Sequence, residues 1–406
     1  METDTSMKPE KIISGSDSVI LAGFCVLIFV LPIAHTESIR AFSIGIPMAF
    51  WLLKMALQRR WLFVRTPLDV PILLFTAVAA LSLLTAVDFR YSFEEFTGEW
   101  LFGVALFYLL ANNFRREWLP YLLGALLIGN LVMVLYGSYE FFRQGGVLSD
   151  YQVRARSLHN IAGALATYLI TVLPYFFVAL FFYSGARRRT LLFFVVLLNL
   201  FTLYLTHVRG GWIVALLTAA AVCAKFFSRR GALALIAGGA LFALWVLPSG
   251  VLVHHATLGK PGYPEGRIAT EQARWEVMSF SWERIRENPF RMLGFGRGSF
   301  ARQYPEFKEK YKGALLWHAH NTFLNLNLQT GLQGLVIFLF LVYKLLKFTY
   351  RSAESEREPL GRAFLFATFF MIGAFFVRNL MDDFFVDDAA LLFWTLSGAA
   401  VAVKKG

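Results

Sequence analysis

The sequence predicts an all-α polytopic membrane protein, and three observations carry that reading. Of 406 residues, 57% are apolar and only 16% are charged, against roughly 25% charged in a soluble domain. The apolar residues are gathered into runs of about twenty, the length a helix needs to cross a hydrocarbon core about 30 Å thick. Lys and Arg gather between alternate runs, as the positive-inside rule requires. The net charge of +12 follows from that clustering, and no separate basic stripe suggests nucleic acid.

The runs are 18–34, 39–57, 68–86, 98–112, 118–142, 158–183, 190–206, 211–227, 232–253, 319–347, 361–377 and 385–402. They predict twelve spans, of which the fourth is short and fits a tilted or broken helix. Lys8 and Lys11 precede the first run without a small-residue cleavage pattern, so it reads as an uncleaved helix. Arg115/Arg116, Arg187/Arg188/Arg189, Lys225/Arg229/Arg230, Lys344/Lys347/Arg351 and Lys404/Lys405 fall on one side. Glu37, Asp88, Glu94, Glu95, Asp382 and Asp383 fall in short loops on the other. Both termini are therefore expected in the cytoplasm. The chain divides into spans one to nine (1–253), a large outer loop (254–317) and spans ten to twelve (318–406). Cys25 and Cys223 both lie in apolar runs and predict free thiols. No internal repeat of the transporter kind is present, and ionisable residues collect at helix ends rather than at mid-membrane.

The outer loop is too long for a simple turn and predicts its own structure. Ala273 to Asn288 reads as an amphipathic helix stopped by Pro289. Trp275, Met278, Trp282 and Ile285 recur at three- and four-residue spacing and are expected on one face, with the tryptophans at headgroup level. The chain then re-enters the membrane at Trp317-His318-Ala319-His320-Asn321-Thr322, with Asn325 one turn beyond Asn321. Two histidines and an Asn at a span mouth suggest a base and hydrogen-bond donors over a site rather than an interfacial cap.

Between spans seven and eight, Thr206-His207-Val208-Arg209-Gly210-Gly211 puts an arginine in a very short turn. A guanidinium fork suits a phosphate, and glycine permits close approach. A snorkelling interfacial Arg is the plainer alternative. Arg154 and Arg156 precede His159-Asn160, and Arg267, Arg274, Arg284, Arg286, Arg291, Arg297 and Arg302 follow in the loop. So many outer arginines favour an anionic ligand, although a solvated loop surface accounts for most of them. Gly294-Phe-Gly296-Arg-Gly298 is not a phosphate loop, since no Gly-Lys-Ser/Thr follows. Neither His254-His255 with His318-x-His320 nor the pairs Asp382-Asp383 and Asp387-Asp388 have diagnostic metal spacing. For the last acidic pairs, binding arginines or orienting a histidine is the favoured role.

His-Ala-His-Asn-Thr-Phe-Leu-Asn at 318–325, running to Gly331-Leu-Gln-Gly334, resembles the signature of the O-antigen ligase and polymerase superfamily. The stretch from Arg274 through Ile285 and Pro289 to Gly294-Phe-Gly296 resembles that family's loop segment, with Met278 where a Trp is common. Arg209-Gly210 matches its short-loop arginine. Arg154 to Asn160 is similar to a further patch, with His159-Asn160 where Pro-Asn is frequent. The resemblance implies a glycosyltransferase-C-like fold that moves a glycan from undecaprenyl diphosphate to an acceptor on the periplasmic face of the bacterial inner membrane. It implies His320 as base, with His318 next, and Arg209, Arg274, Arg156 and Asn321 on the donor. It also implies chemistry without a metal or other cofactor, and inversion at the anomeric carbon. Joining O-antigen to a lipid A–core acceptor is the leading reading. Polymerisation of repeat units is the alternative, followed by protein O-glycosylation and lipid-linked glycan transport.

Overall fold

A computed structural model describes residues 9–148, 153–239, 266–306 and 318–405. It is all-helical, with no strand among the described residues. In chain order the helices are α1 (Pro9–Val30), α2 (Glu37–Gln58), α3 (Asp69–Ser82), α4 (Phe89–Glu95), α5 (Phe102–Asn113), α6 (Leu119–Arg143) and α7 (Ala162–Phe182). They continue with α8 (Ala186–Leu205), α9 (Arg209–Phe226), α10 (Gly266–Glu287), α11 (Ser299–Gln303), α12 (Thr322–Ser355), α13 (Pro359–Arg378) and α14 (Asp387–Lys405).

Seven described helices are long and apolar enough to cross a membrane: α2, α6 with the turn before it, α7, α8, α9, α12 and α13. Gly15–Val30 in α1 and Asp69–Thr85 around α3 are shorter apolar helices. The fourth expected span is broken: α4 runs into α5 through a π-helical turn, Phe96–Leu101. The expected ninth span meets the described residues only at its start, where 229–239 are helical; the rest of 232–253, His254, His255 and Trp317 lie outside them. Phe42, Leu73, Leu135 and Phe194 stand exposed on helix surfaces, the arrangement of a multi-pass membrane protein whose solvent is lipid. α7 and α13 are the most enclosed spans. Two polar pairs cross between helices inside the bundle: the Asn130 and Asn199 amides exchange two 2.8 Å hydrogen bonds, and Tyr175 meets the Thr368 hydroxyl at 2.9 Å.

The two ends of the bundle differ in character. At one end, Lys54 binds Asp17 at 2.7 Å, Arg115 joins the same carboxylate, and Arg116 binds Glu356 at 2.8 Å. The other end collects the starts of α2, α7, α9, α12 and α14, and α10 and α11 pack over it. A second small core, built from Val277, Ile285, Leu293, Phe300, Tyr304, Ala319 and Leu328, joins that cover to the bundle.

The face of α10 corrects the sequence expectation. Val277, Ser281 and Ile285 are buried, whereas Trp275 and Trp282 point outward at 71% and 54% exposure. The four residues expected on one face are therefore divided between two. The inward stripe runs 274, 277, 281, 285, and Arg274 is its outermost member.

α12 is broken at Gly331, whose backbone (φ 71°, ψ 175°) leaves the helix. The freed groups bond to the loop after α10. The Leu332 N–H donates to the Pro289 carbonyl at 2.8 Å, and the Leu293 N–H donates to that of Leu328 at 2.9 Å. Gly294 turns beside them at φ 99°, where a Cβ would come within 2.5 Å of the Ala86 methyl.

α5 and α14 pack without space. A Cβ at Gly398 would meet the Phe107 carbonyl at 2.7 Å, while one at Gly373 would meet nothing within 4 Å. Gly398→Ala is expected to destabilise the protein by about 1–3 kcal/mol through overpacking. Gly373→Ala is expected to leave stability unchanged or raised, and thermal unfolding of both variants in detergent checks the difference.

Candidate active site

The turn that enters α12 and the loop from α13 to α14 form one hydrogen-bonded unit. Asn321 caps α12: its side-chain oxygen accepts from the N–H groups of Phe323 and Leu324, and its amide donates to the Leu380 carbonyl at 2.9 Å. The Thr322 N–H donates to the carbonyls of Asn379 and Asp382. Asn325 donates to Asp383 at 2.6 Å, and the Thr322 hydroxyl lies 2.7 Å from the same carboxylate. Asn321, expected on the donor, thus has both ends of its amide committed to structure. Asn325 turns inward to Asp383 rather than joining Asn321 in a ligand-facing row.

This unit places His320 against Asp382. His320 Nδ1 lies 3.2 Å from Asp382 Oδ1, and His320 is 5% exposed. The pair defines the tautomer: the carboxylate accepts from Nδ1–H, leaving Nε2 with its lone pair. That Nε2 is buried and has no hydrogen-bond partner among the described residues, an expensive arrangement unless another molecule meets it. His320 adopts a left-handed backbone (φ 50°), sparsely populated by residues other than glycine.

His318 is differently used. Its Nδ1 accepts the His320 backbone N–H at 3.0 Å, so protonation there breaks a hydrogen bond. Burial, then the charges of His320, Arg297 and Arg274, pushes it well below the ordinary histidine range, against the opposing pull of Asp382. Geometry therefore separates the two candidate bases and favours His320.

Two guanidiniums complete the cluster. Arg274 Nη2 from α10 and Arg378 Nη2 from α13 lie 3.9 and 3.7 Å from Asp382 Oδ2. Burial drives the Asp382 carboxyl up, but His320, Arg378 and Arg274 together hold it below the usual carboxylate range. Asp383, beside it, is pushed up by burial. Arg378 is 3% exposed, whereas the Arg274 side chain is 44% exposed and free to take a second anion. The ring nitrogens of His318 and His320 and an Asp382 oxygen have a spacing that can hold a metal ion. Two cations within 4 Å of the same carboxylate oppose a divalent cation and favour an anion.

The Arg209 turn comes to the same place. Arg209 is exposed and is the first residue of α9, where helix-terminal N–H groups add to its charge. Gly210 packs so closely on Met381 that a Cβ would come within 2.7 Å of its sulfur. Arg156, also exposed, lies one loop away, where the Ala155 N–H donates to the Leu205 carbonyl at 2.9 Å. The fold thus brings Arg274, His318 and His320 together, sets the Arg209 turn beside them, and leaves Arg156 at the margin.

Next to this cluster is a cleft of about 510 Å³ between α2, α5, α7 and α14. Glu37, Arg40, His159, Asn160, Arg297 and Asp388 supply its polar wall, and Leu31, Phe102 and Leu391 its apolar one. His159 is half-buried, and its Nε2, itself shielded from solvent, is unpartnered among the described residues. Burial, helped by Arg40, lowers His159 to about 4, so it is neutral at physiological pH. Arg297 joins cleft and cluster, donating to the Asp383 carbonyl at 3.4 Å. Acidic pairs in an outer turn hinted at Asp382 from sequence alone. Nothing hinted at Arg378, which stands at a helix end like any snorkelling cation.

A family described as O-antigen ligase matches residues 192–339. That segment contains Arg209, Arg274, His318, His320 and Asn321, but not Arg156, Arg378 or Asp382. No curated protein matches the chain.

His318 sets a pH dependence. Its folded-state value lies below the unfolded value of about 6.5, so its contribution to stability is complete above that value. It is lost as pH falls through it, because the unfolded chain then binds a proton that the folded one refuses. Thermal stability is expected to fall between about pH 7 and pH 5. His318→Gln should flatten that slope, as unfolding midpoints of the two proteins measured across this range would show.

Proposed function

We propose that this chain, whose 192–339 segment is of the O-antigen ligase family, joins O-antigen polysaccharide from undecaprenyl diphosphate to a lipid A–core acceptor. Members of that family are membrane glycosyltransferases of the ligase and polymerase type. In this reading the reaction occurs on the periplasmic face of the bacterial inner membrane, with both termini in the cytoplasm.

One observation carries the reading: a buried histidine nitrogen without a partner among the described residues, backed by a carboxylate and flanked by arginines. His320 Nε2 takes the proton from an acceptor hydroxyl as its oxygen attacks the anomeric carbon. The bond from that carbon to the phosphate oxygen breaks, and the diphosphate leaves with the electron pair. Arg274 and Arg209 meet the charge that develops on it. Asp382 stabilises the imidazolium formed on His320, while Arg378 keeps Asp382 ionised. Single displacement inverts the anomeric centre, and retention in the product would exclude it. The leaving group needs neither a nucleotide nor a metal, because guanidiniums supply the positive charge. The adjoining cleft, with a neutral His159, Asn160 and paired carboxylates, offers hydrogen-bonding partners for sugar hydroxyls.

Deleting the gene and examining lipopolysaccharide on a gel tests the function. Core without O-antigen, with carrier-linked polymer accumulating, is the expected outcome. Core bearing a single repeat unit would instead identify a polymerase.

In a transfer assay, His320→Ala, Arg209→Ala and Arg274→Ala are each expected to abolish activity with expression intact. Asp382→Asn should lower kcat by about 10²–10⁴-fold, the range of a general-base contribution. Full activity in any of these four variants would remove that residue from the mechanism.

A further inference from the structure

The end of the bundle away from His320 carries a second concavity, of about 280 Å³, lined by Pro67, Lys344, Lys347, Phe348, Arg351, Ser352, Ser355 and Lys404. Lys344, Lys347 and Arg351 recur at three- and four-residue spacing and form one stripe on α12; Lys404 comes from the end of α14. The lining contains no carboxylate.

What marks this cluster is convergence on one hollow without a carboxylate, whereas several cations nearby are ion-paired. At the same end, Lys54 and Arg115 share Asp17, Arg116 has Glu356, and Lys225 and Arg362 share Glu354. Lys344, Lys347, Arg351 and Lys404 make no ion pair among the described residues. Lys404 instead donates to the Ser355 hydroxyl at 2.9 Å, and Lys347 to the Tyr343 hydroxyl at 3.3 Å. Four cations converging on one hollow repel each other, and an anion among them relieves that repulsion.

The approach to the hollow is apolar. Val336, Leu339, Phe340 and Tyr343 stand exposed on α12, one to two turns nearer the bundle's middle. A molecule lying along that row therefore needs a hydrocarbon body and an anionic head. Lys344 and Lys347 extend over the Phe340 and Tyr343 rings, 5.8 and 5.4 Å from their centroids, as interfacial cations do.

We propose that this pocket binds the headgroup of an anionic phospholipid, with its acyl chains against the exposed row of α12. The site is separate from the reacting centre: α12 begins at Thr322 beside His320, and Lys344 lies about 33 Å further along it at 1.5 Å per residue. The assignment does not depend on the transfer reaction.

The test uses the full-length protein in detergent and follows bound lipid by native mass spectrometry and stability by thermal unfolding. Phosphatidylglycerol should bind and raise the unfolding temperature, whereas phosphatidylcholine and inorganic phosphate should do neither. Lys344→Gln/Lys347→Gln/Arg351→Gln should bind phosphatidylglycerol at least tenfold more weakly, on the basis of about fivefold per charge lost. A control, Arg187→Gln/Arg188→Gln/Arg189→Gln, removes three exposed charges that do not line the pocket and should keep the lipid. Lys344→Arg/Lys347→Arg should also keep it, which separates lost binding from misfolding. Equal binding by wild type and the pocket variant overturns the proposal, and so does an equal loss in the control. Stabilisation by phosphate alone, matching that by phosphatidylglycerol, would make the site one for a free anion and refute the lipid.

Discussion

The Asp382 carboxylate is the interaction on which the site end depends. It is buried, and burying a charge costs several kcal/mol unless partners replace its water. Those partners arrive from separate parts of the chain: His320 from the turn before α12, Arg274 from α10 and Arg378 from α13. Meeting the needs of one carboxylate therefore fixes the cover, the α12 entry and the α13–α14 loop relative to one another. The same loop packs Met381 on Gly210 and so holds the Arg209 turn near the rest. Asp382 is thus the keystone of both the tertiary structure and the chemistry proposed for it.

Much of the fold was legible because lipid imposes simple rules. A run of about twenty apolar residues must be a helix, since any other backbone would leave polar groups unpaired in hydrocarbon. The expected spans coincide with helices wherever the structure describes them, and the short fourth run becomes a helix interrupted by a π turn. The amphipathic helix was legible in position but not in rotation. The sequence marks Trp275 and Trp282 as the apolar stripe, yet large aromatics can cover either a protein core or a lipid interface. The buried line instead runs through Val277 and Ser281, and a serine in a core carries no periodic signal.

The site was legible in part for a similar reason. His318, His320, Arg209 and Arg274 lie in motifs with local spacing; the histidines and Arg274 gather at Asp382, and the Arg209 turn packs beside their loop. The pairing of His320 with Asp382 spans 62 residues, and spacing cannot announce a contact made only by folding. Asn321 shows the converse. An Asn at a span mouth has the chemistry of a ligand, but its position just ahead of a helix commits it to capping. Distinguishing His318 from His320 also required coordinates, because the distinction lies in which nitrogen each ring has already committed.

The break at Gly331 has a mechanical consequence. A helix interrupted near a membrane rim exposes backbone groups, and here the loop after α10 satisfies them through Pro289 and Leu293. Lifting the cover would orphan both, at about 1–3 kcal/mol each. The cover is therefore braced like the fixed jaw of a vice rather than hinged like a lid. Under the proposed function, a carrier-linked substrate would then pass in and out sideways, within the plane of the bilayer, while the roof above it stays still.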